Sequence, residues 1–96
     1  MFLGSYRMDG DPAELLAGYD RLRASMAGHG VTFLLQTCIS DDTGITVFDA
    51  CPSREVFQGF STSAEFLGAL SAAGLPAPTV TQLGDVHYAE LDQAAL

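Results

Sequence analysis

The chain has 96 residues, of which 12 are acidic and 4 are basic, giving a net charge of −8. Its length predicts one domain, 1–96, with a modest core, and its few basic residues cannot form the positive face that nucleic acid requires. Lysine is absent, which excludes Schiff-base catalysis and P-loop phosphate binding. No apolar run reaches the length of a membrane span, and no secretion signal begins the chain, so we expect a cytoplasmic protein.

The first part of the chain predicts a strand followed by a helix. Met1 to Met8 is a short apolar and aromatic run, and it ends at the turn formers Asp9-Gly10-Asp11. Asp11 is predicted to cap the helix, because Pro12 suits the first helical position and Glu14 completes a capping box. One apolar stripe follows at helical spacing and consists of Leu15, Tyr19, Leu22 and Met26.

The next two segments predict a β-hairpin. Val31 to Ser40 and Gly44 to Cys51 are rich in β-branched and aromatic residues and are separated by a short turn. Pairing outward from that turn places Cys38 opposite Val47, four positions along the ladder from Cys51. At about 3.4 Å per residue, this separation exceeds the reach of a disulfide, so we expect reduced thiols.

The hairpin register also divides the side chains between two faces. One face carries Val31, Phe33, Leu35, Ile39, Phe48 and Ala50. The other carries Leu34, Gln36, Cys38, Ile45, Val47, Asp49 and Cys51. Because two helices cover only one face of a sheet and both faces are largely apolar, we expect the uncovered face to pack on a second subunit.

A second helix is predicted after the hairpin. Ser53 is its expected cap, Thr62 with Glu65 offers a second capping box at which the helix changes direction, and Gly74 ends it. The buried side of this helical segment is predicted to contain Val56, Phe57, Phe60, Phe66, Leu67, Leu70 and Ala73.

The last strand completes the predicted fold. Thr79 to Leu83 and Val86 to Leu91 read as one strand bent at Gly84-Asp85. The resulting β-α-β-β-α-β order predicts a ferredoxin-like α+β sandwich, with a four-stranded antiparallel sheet and two helices on one face. In a homodimer, two such sheets would meet.

The stretch VFDACPSREVFQGFSTSAEF, Val47 to Phe66, resembles the third strand and second helix of the dimeric α/β-barrel superfamily. More specifically, it is similar to antibiotic-biosynthesis-monooxygenase-type domains. Asp49 matches the acidic strand position of those domains, Ser53 the helix cap, and Phe57 the helix anchor. Cys51 stands where they often have a strand-end aromatic residue.

This resemblance implies a small cofactor-independent enzyme that oxygenates, cyclises or isomerises an apolar, polyketide-like molecule. Phe60 stands where the family often has a histidine on the following helix. A non-catalytic binding or dimeric assembly protein of the same fold is the alternative. No metal is expected, because the acidic clusters lack the spaced ligands that calcium needs.

His87 is the predicted base, since a neutral imidazole in an apolar cleft can take a proton from a phenolic or 1,3-dicarbonyl substrate. His29 lies between two glycines and is predicted to be a loop residue. The other predicted site residues are Tyr6, Gln36 and Asp49, which would orient the substrate, and Phe57 and Phe60, which would line the cleft.

The partner of Asp49 and the role of Cys51 also have to be considered. Asp49 is an acid inside a strand and needs a partner if it is buried, for which Arg7 or Tyr6 on the first strand is predicted. Cys51 precedes a helix, whose amino terminus can activate a thiol, yet a free cysteine more often behaves as a small buried hydrophobe. Cys51 is therefore a candidate either for thiol chemistry or for lining the substrate cleft.

Overall fold

The computed structural model describes residues 1–28 and 33–92, and in them the chain forms four strands and three helices. The elements are β1 (Phe2–Asp9), α1 (Pro12–Met26), β2 (Leu35–Asp41), β3 (Gly44–Cys51), α2 (Arg54–Ser61), α3 (Ala64–Ala72) and β4 (Thr79–Asp85). The strand order is β2-β3-β1-β4, and every neighbouring pair is antiparallel. The fold is α+β and fits a ferredoxin-like arrangement, as predicted, with the second helix divided into α2 and α3. No helix in these residues is both long and apolar enough to cross a membrane.

The predicted hairpin register is confirmed. Cys38 pairs with Val47 and Asp41 with Gly44 in the β2–β3 ladder. Both cysteines are free, and Cys51 is buried. The turn length therefore sets which side chains of β2 and β3 share a face.

The beginning of β2 differs from the prediction. The strand starts at Leu35, whereas the predicted first residues and His29 fall in 29–32, outside the described residues. Phe33 was expected on the same face as Leu35, but its ring packs edge-on against Phe60 with centroids 5.2 Å apart. Because Phe33 precedes the strand, the alternation of β-structure does not fix its direction.

The first two helices begin where capping predicts. The Asp11 carboxylate accepts a hydrogen bond of 3.0 Å from the Glu14 backbone N–H, and Pro12 opens α1. Ser53 Oγ accepts from the Val56 N–H at 3.2 Å and caps α2. Of the predicted stripe, Leu15, Tyr19 and Leu22 are buried and Met26 packs on the core.

The cap of the third helix was predicted one residue too early. Ser63 Oγ, not Thr62, accepts the capping hydrogen bond, which comes from the Phe66 N–H at 3.2 Å. Thr62 Oγ1 instead donates to the Gln58 carbonyl at 2.7 Å, where α2 ends. The helix ends before Gly74, whose φ of 78° lies in the left-handed region that glycine adopts without strain.

The predicted extension of β4 through Leu91 is wrong, because the strand ends at Asp85. A bulge leaves Leu83 without a partner on β1. Val86 N–H donates to the Met1 carbonyl at 2.8 Å. After this contact, residues 86–92 form no strand.

The helices cover one face of the sheet. The α1 helix packs on β2 and β3, α2 packs on β1, β3 and β4, and α3 lies against α1 and α2. The covered face carries the buried side chains Phe2, Tyr6, Met8, Ile45, Val47, Asp49 and Cys51. The opposite face, called the open face, carries Leu3, Leu35, Ile39, Phe48 and Ala50. Leu83, in the bulge, borders the same depression as Leu3.

Aromatic rings run across the covered face in consecutive contacts with centroids 4.6 to 5.7 Å apart. This aromatic ladder consists, in order, of Phe2, Phe57, Tyr6, Phe66, Phe60 and Phe33. The Phe57 ring lies directly on the backbone of Gly4, where a β-carbon would overlap the ring. Glycine at this position therefore lets α2 approach β1 closely.

Candidate active site

A cavity of about 300 Å³ lies between α1 and the covered face of the sheet. This α1 cavity is lined by Tyr6, Met8, Tyr19, Leu22, Arg23, Met26, Ala27, Gly28, Phe33, Gln36, Val47, Asp49, Phe60 and Phe66. An apolar cavity of about 150 Å³ is enough to bind benzene, so this one is large enough for a molecule of one or two rings. Its mostly apolar lining with a few polar groups is typical of small-molecule sites.

Asp49 is the buried acid of this cavity. Its side chain is on β3 and only 1% exposed, and its Oδ1 accepts a 3.0 Å hydrogen bond from Gln36 Nε2. Burial raises the pKa of Asp49 to about 6, although its interactions with Gln36 and Tyr6 oppose this shift. A carboxylate with this pKa is mostly ionised at neutral pH and still accepts a proton readily, as a general base must.

Tyr6 supplies an unused hydrogen-bond donor next to this acid. The residue is 2% exposed, and its Oη makes no hydrogen bond with any described residue. Burial, and next the charge of Asp49, raise the pKa of Tyr6 far above its ordinary value, so the phenol keeps its proton. A buried hydroxyl without a partner is uncommon, and here it lines a cavity that a ligand oxygen could enter.

Of the two predicted partners for Asp49, Tyr6 lies beside it and Arg7 does not. Arg7 follows Tyr6 on β1, so it points to the opposite face of the sheet. Its guanidinium binds Asp41 at 2.7 Å and Asp9 at 3.1 Å at the strand ends. The buried acid therefore has polar neighbours but no cation paired with it among the described residues.

Only some of the other predicted lining residues border the cavity. Phe60 and Gln36 line the α1 cavity, whereas Phe57 and Cys51 do not. Phe57 lies on α2 and is fully buried against β1, and Cys51 is fully buried at the end of β3. Burial raises the pKa of the Cys51 thiol, and the nearby charge of Asp49 raises it further, which is the opposite of thiol activation.

His87 lies away from the cavity. It is exposed, follows the end of β4, and borders a separate depression beside Leu3 and Tyr88. The structure thus brings together Tyr6, Gln36 and Asp49 and separates His87 from them, because the predicted continuation of the strand is absent.

Ten of the fourteen lining residues were not predicted as site residues, and Arg23 and Phe33 are two of them. Arg23 lies in the last turn of α1 with its guanidinium carbon 5.9 Å from the centre of the Tyr19 ring. Its position four residues after Tyr19, on the same side of the helix, was the available signal. Phe33 was assigned to the wrong face, because the start of β2 was placed too early.

We expect native Cys51 to resist alkylation, since its thiol is fully buried and its pKa is raised. Iodoacetamide at pH 8 followed by mass spectrometry should label the half-buried Cys38 first and Cys51 only after unfolding in urea. Labelling of folded Cys51 within minutes at neutral pH would instead support thiol chemistry.

The described residues contain no group of three His, Cys, Asp or Glu side chains arranged to hold a metal ion. Comparisons of the chain with protein-family models, with curated proteins and with solved structures found no match in any of the three.

Proposed function

We propose that the protein is a small, cytoplasmic, cofactor-independent enzyme that removes a proton from an apolar or aromatic molecule bound in the α1 cavity. The reaction would be an isomerisation, a cyclisation or a monooxygenation, as the resemblance of Val47 to Phe66 implies. The observation that carries the proposal is a buried Asp49, with a pKa of about 6, beside the unpartnered hydroxyl of Tyr6. Perturbed acids in clefts are common at catalytic sites.

In this mechanism, the Asp49 carboxylate takes a proton from a carbon next to a carbonyl, or from a phenolic hydroxyl. The electron pair moves onto the substrate oxygen, so the negative charge passes from Asp49 to that oxygen. The Tyr6 hydroxyl donates a hydrogen bond to the oxygen as the charge develops. Gln36 holds Asp49 in place through Oδ1, and the apolar walls keep water out.

The enolate formed in this way is a common precursor of the three reaction types. Return of the proton from Asp49 to another carbon gives an isomer. Attack of the enolate carbon on a carbonyl of the same molecule gives a ring. Reaction of that carbon with dioxygen begins an oxygenation, in which dioxygen is the oxidant.

The proton-transfer step can be tested with 2-tetralone, a two-ring ketone, by following exchange of its α-hydrogens in D₂O by NMR. The wild-type protein should accelerate exchange over buffer, and Asp49→Asn should reduce the acceleration by about 10² to 10⁴. Tyr6→Phe should reduce it by about 10², since it removes one donor to the developing oxyanion. Tyr6→Phe should remain folded, because the Tyr6 hydroxyl makes no hydrogen bond within the described residues.

His87→Gln is the control that distinguishes the two candidate bases. Its exchange rate should equal that of the wild type, because His87 does not line the cavity. Loss of exchange in His87→Gln with retention in Asp49→Asn would assign the base to His87. Exchange at the buffer rate with wild-type protein would contradict the proposed activity.

The protein is also proposed to be a homodimer, joined through the open face. Ile39 on this face is 47% exposed. Among the described strand residues, the acids that the register places on this face are Asp9 and Asp41, at strand ends, and both bind Arg7. Two such faces can therefore meet without like-charge repulsion, in an isologous contact. If the cavity catalyses no reaction, a non-catalytic small-molecule-binding or dimeric assembly protein of the same fold is the alternative function.

Native mass spectrometry at micromolar concentration should show a dimer of the wild-type chain. Ile39→Glu should give a monomer, because it places a charge within the apolar surface of the proposed contact. Leu67→Glu, at a residue of α3 that is 51% exposed, is the matched control and should remain dimeric. A monomeric wild-type protein, or equal dissociation by both variants, would contradict this arrangement.

A further inference from the structure

The mouth of the α1 cavity contains a cation. Arg23 is exposed in the last turn of α1 and lines the cavity together with Ala27 and Gly28, which follow it. Tyr6 and Asp49 are deeply buried, so they form the inner end. The cavity therefore has a positive group at its mouth and an acid at its inner end.

Arg23 has no acidic partner among the described residues. Arg7 binds two aspartates, and Arg21 donates to the Ala73 carbonyl at 2.9 Å. Arg23 and Arg54 each lie over an aromatic ring, at 5.9 Å from Tyr19 and 5.3 Å from Phe2 respectively. Such a contact uses the face of the guanidinium and leaves its N–H groups available. Of these two arginines, Arg23 alone lines the cavity.

The two ends of the cavity favour different ligand groups. A carboxylate near Asp49 would meet a like charge in a buried environment, which is unfavourable at pH values above about 6. A neutral hydroxyl or carbonyl can instead bind between Tyr6 and Asp49. The same ligand can place a carboxylate at the mouth, where Arg23 offers a paired hydrogen-bonding edge.

We propose that the α1 cavity binds an aromatic or enolic carboxylic acid of one or two rings. Its carboxylate binds Arg23, and its hydroxyl or carbonyl at the opposite end meets Tyr6 and Asp49. The inner contact rests on the function proposed above, whereas the outer contact depends only on Arg23. The substrate class is thus an acid, despite the negative net charge of the chain.

The test compares two fluorescent probes, 6-hydroxy-2-naphthoic acid and its neutral carboxamide, titrated with protein at pH 8. The chain contains no tryptophan, so naphthalene emission is easily isolated. At low ionic strength the wild type should bind the acid about five- to tenfold more tightly than the amide, and added salt should reduce this preference. Arg23→Gln should abolish the preference and Arg23→Lys should retain part of it.

Arg54→Gln is the matched control, because it removes another exposed, ring-stacked arginine and the same charge. It should keep the preference for the acid. If Arg54→Gln and Arg23→Gln lost the preference for the acid equally, net charge alone would explain the preference. That result would overturn the proposal.

Equal binding of acid and amide to the wild type would also overturn it, while leaving the cavity as a neutral-ligand site. If neither probe binds, both the ligand class and the binding role of the cavity are wrong. A retained acid preference, together with 2-tetralone exchange that does not depend on Asp49, would keep the Arg23 contact and remove the proposed proton transfer.

Discussion

Replacing Gly4 with alanine should lower the free energy of unfolding by about 3 kcal/mol, at the upper end of the usual overpacking penalty. The added methyl group would occupy space that the Phe57 ring already fills. Relief by movement is restricted, because β1 is held between β3 and β4 and Phe57 is fully buried. The loss is large beside the total stability of about 5 to 15 kcal/mol that is usual for a domain.

Urea unfolding followed by circular dichroism measures this effect. Gly59→Ala is the matched control, because a β-carbon there meets no atom within 4 Å and alanine favours the helix. It should be neutral or stabilising. Combining Gly4→Ala with Phe57→Leu should cost less than the sum of the two single changes, since the smaller side chain makes room for the methyl. Wild-type stability for Gly4→Ala would show that the ring does not lie on this backbone.

Asp49→Asn should stabilise the protein at pH 8 by about 2 to 3 kcal/mol while removing its activity. Burial raises the pKa of Asp49 to about 6, well above the value near 3.9 of an aspartate in an unfolded chain. The folded state therefore favours the protonated acid. The energetic cost of the charged form is complete above pH 6, declines as the pH falls toward 4, and is absent below that. Asparagine has no such cost and can still accept the hydrogen bond from Gln36.

The difference in unfolding free energy between Asp49→Asn and wild type, measured from pH 4 to pH 8, isolates this residue from the other acids. It should be near zero at pH 4 and reach its full value above pH 6. Asp42→Asn removes an exposed turn carboxylate and controls for the change in net charge. A difference that is constant across this range, or equally large for Asp42→Asn, would contradict a raised pKa at Asp49.

The parts of the fold that depend on neighbouring residues were predictable. Asp11 and Ser53 cap helices through contacts within three residues, and the short turn sets the β2–β3 register. Thr62 and Ser63 are adjacent hydroxyl residues, so the pattern could not decide between them. The end of β4 depends on the pairing of Asp85 with Phe2, and these two residues are distant in sequence.

The site residues were likewise predictable where neighbouring residues position them and not where contacts distant in sequence do. Gln36 and Asp49 were assigned to one face by the hairpin register, and the structure joins them by a hydrogen bond. His87 was included on the assumption of a longer last strand, and that assumption failed. The spacing of Arg23 from Tyr19 indicated a shared side of α1, but the place of Arg23 in the cavity depends on α1 lying beside β2 and β3.

The aromatic ladder links the shape of the cavity to the stability of the protein. The cavity is lined in part by Tyr6, Phe60 and Phe66. Each of these rings also packs on the next ring of the ladder and so belongs to the hydrophobic core. A shorter side chain that admits a bulkier ligand therefore also loosens the protein, and a well-fitting ligand should raise its melting temperature. Adaptation to new substrates is consequently easiest at the mouth of the cavity, at a residue such as Arg23, whose replacement leaves the stacked rings intact.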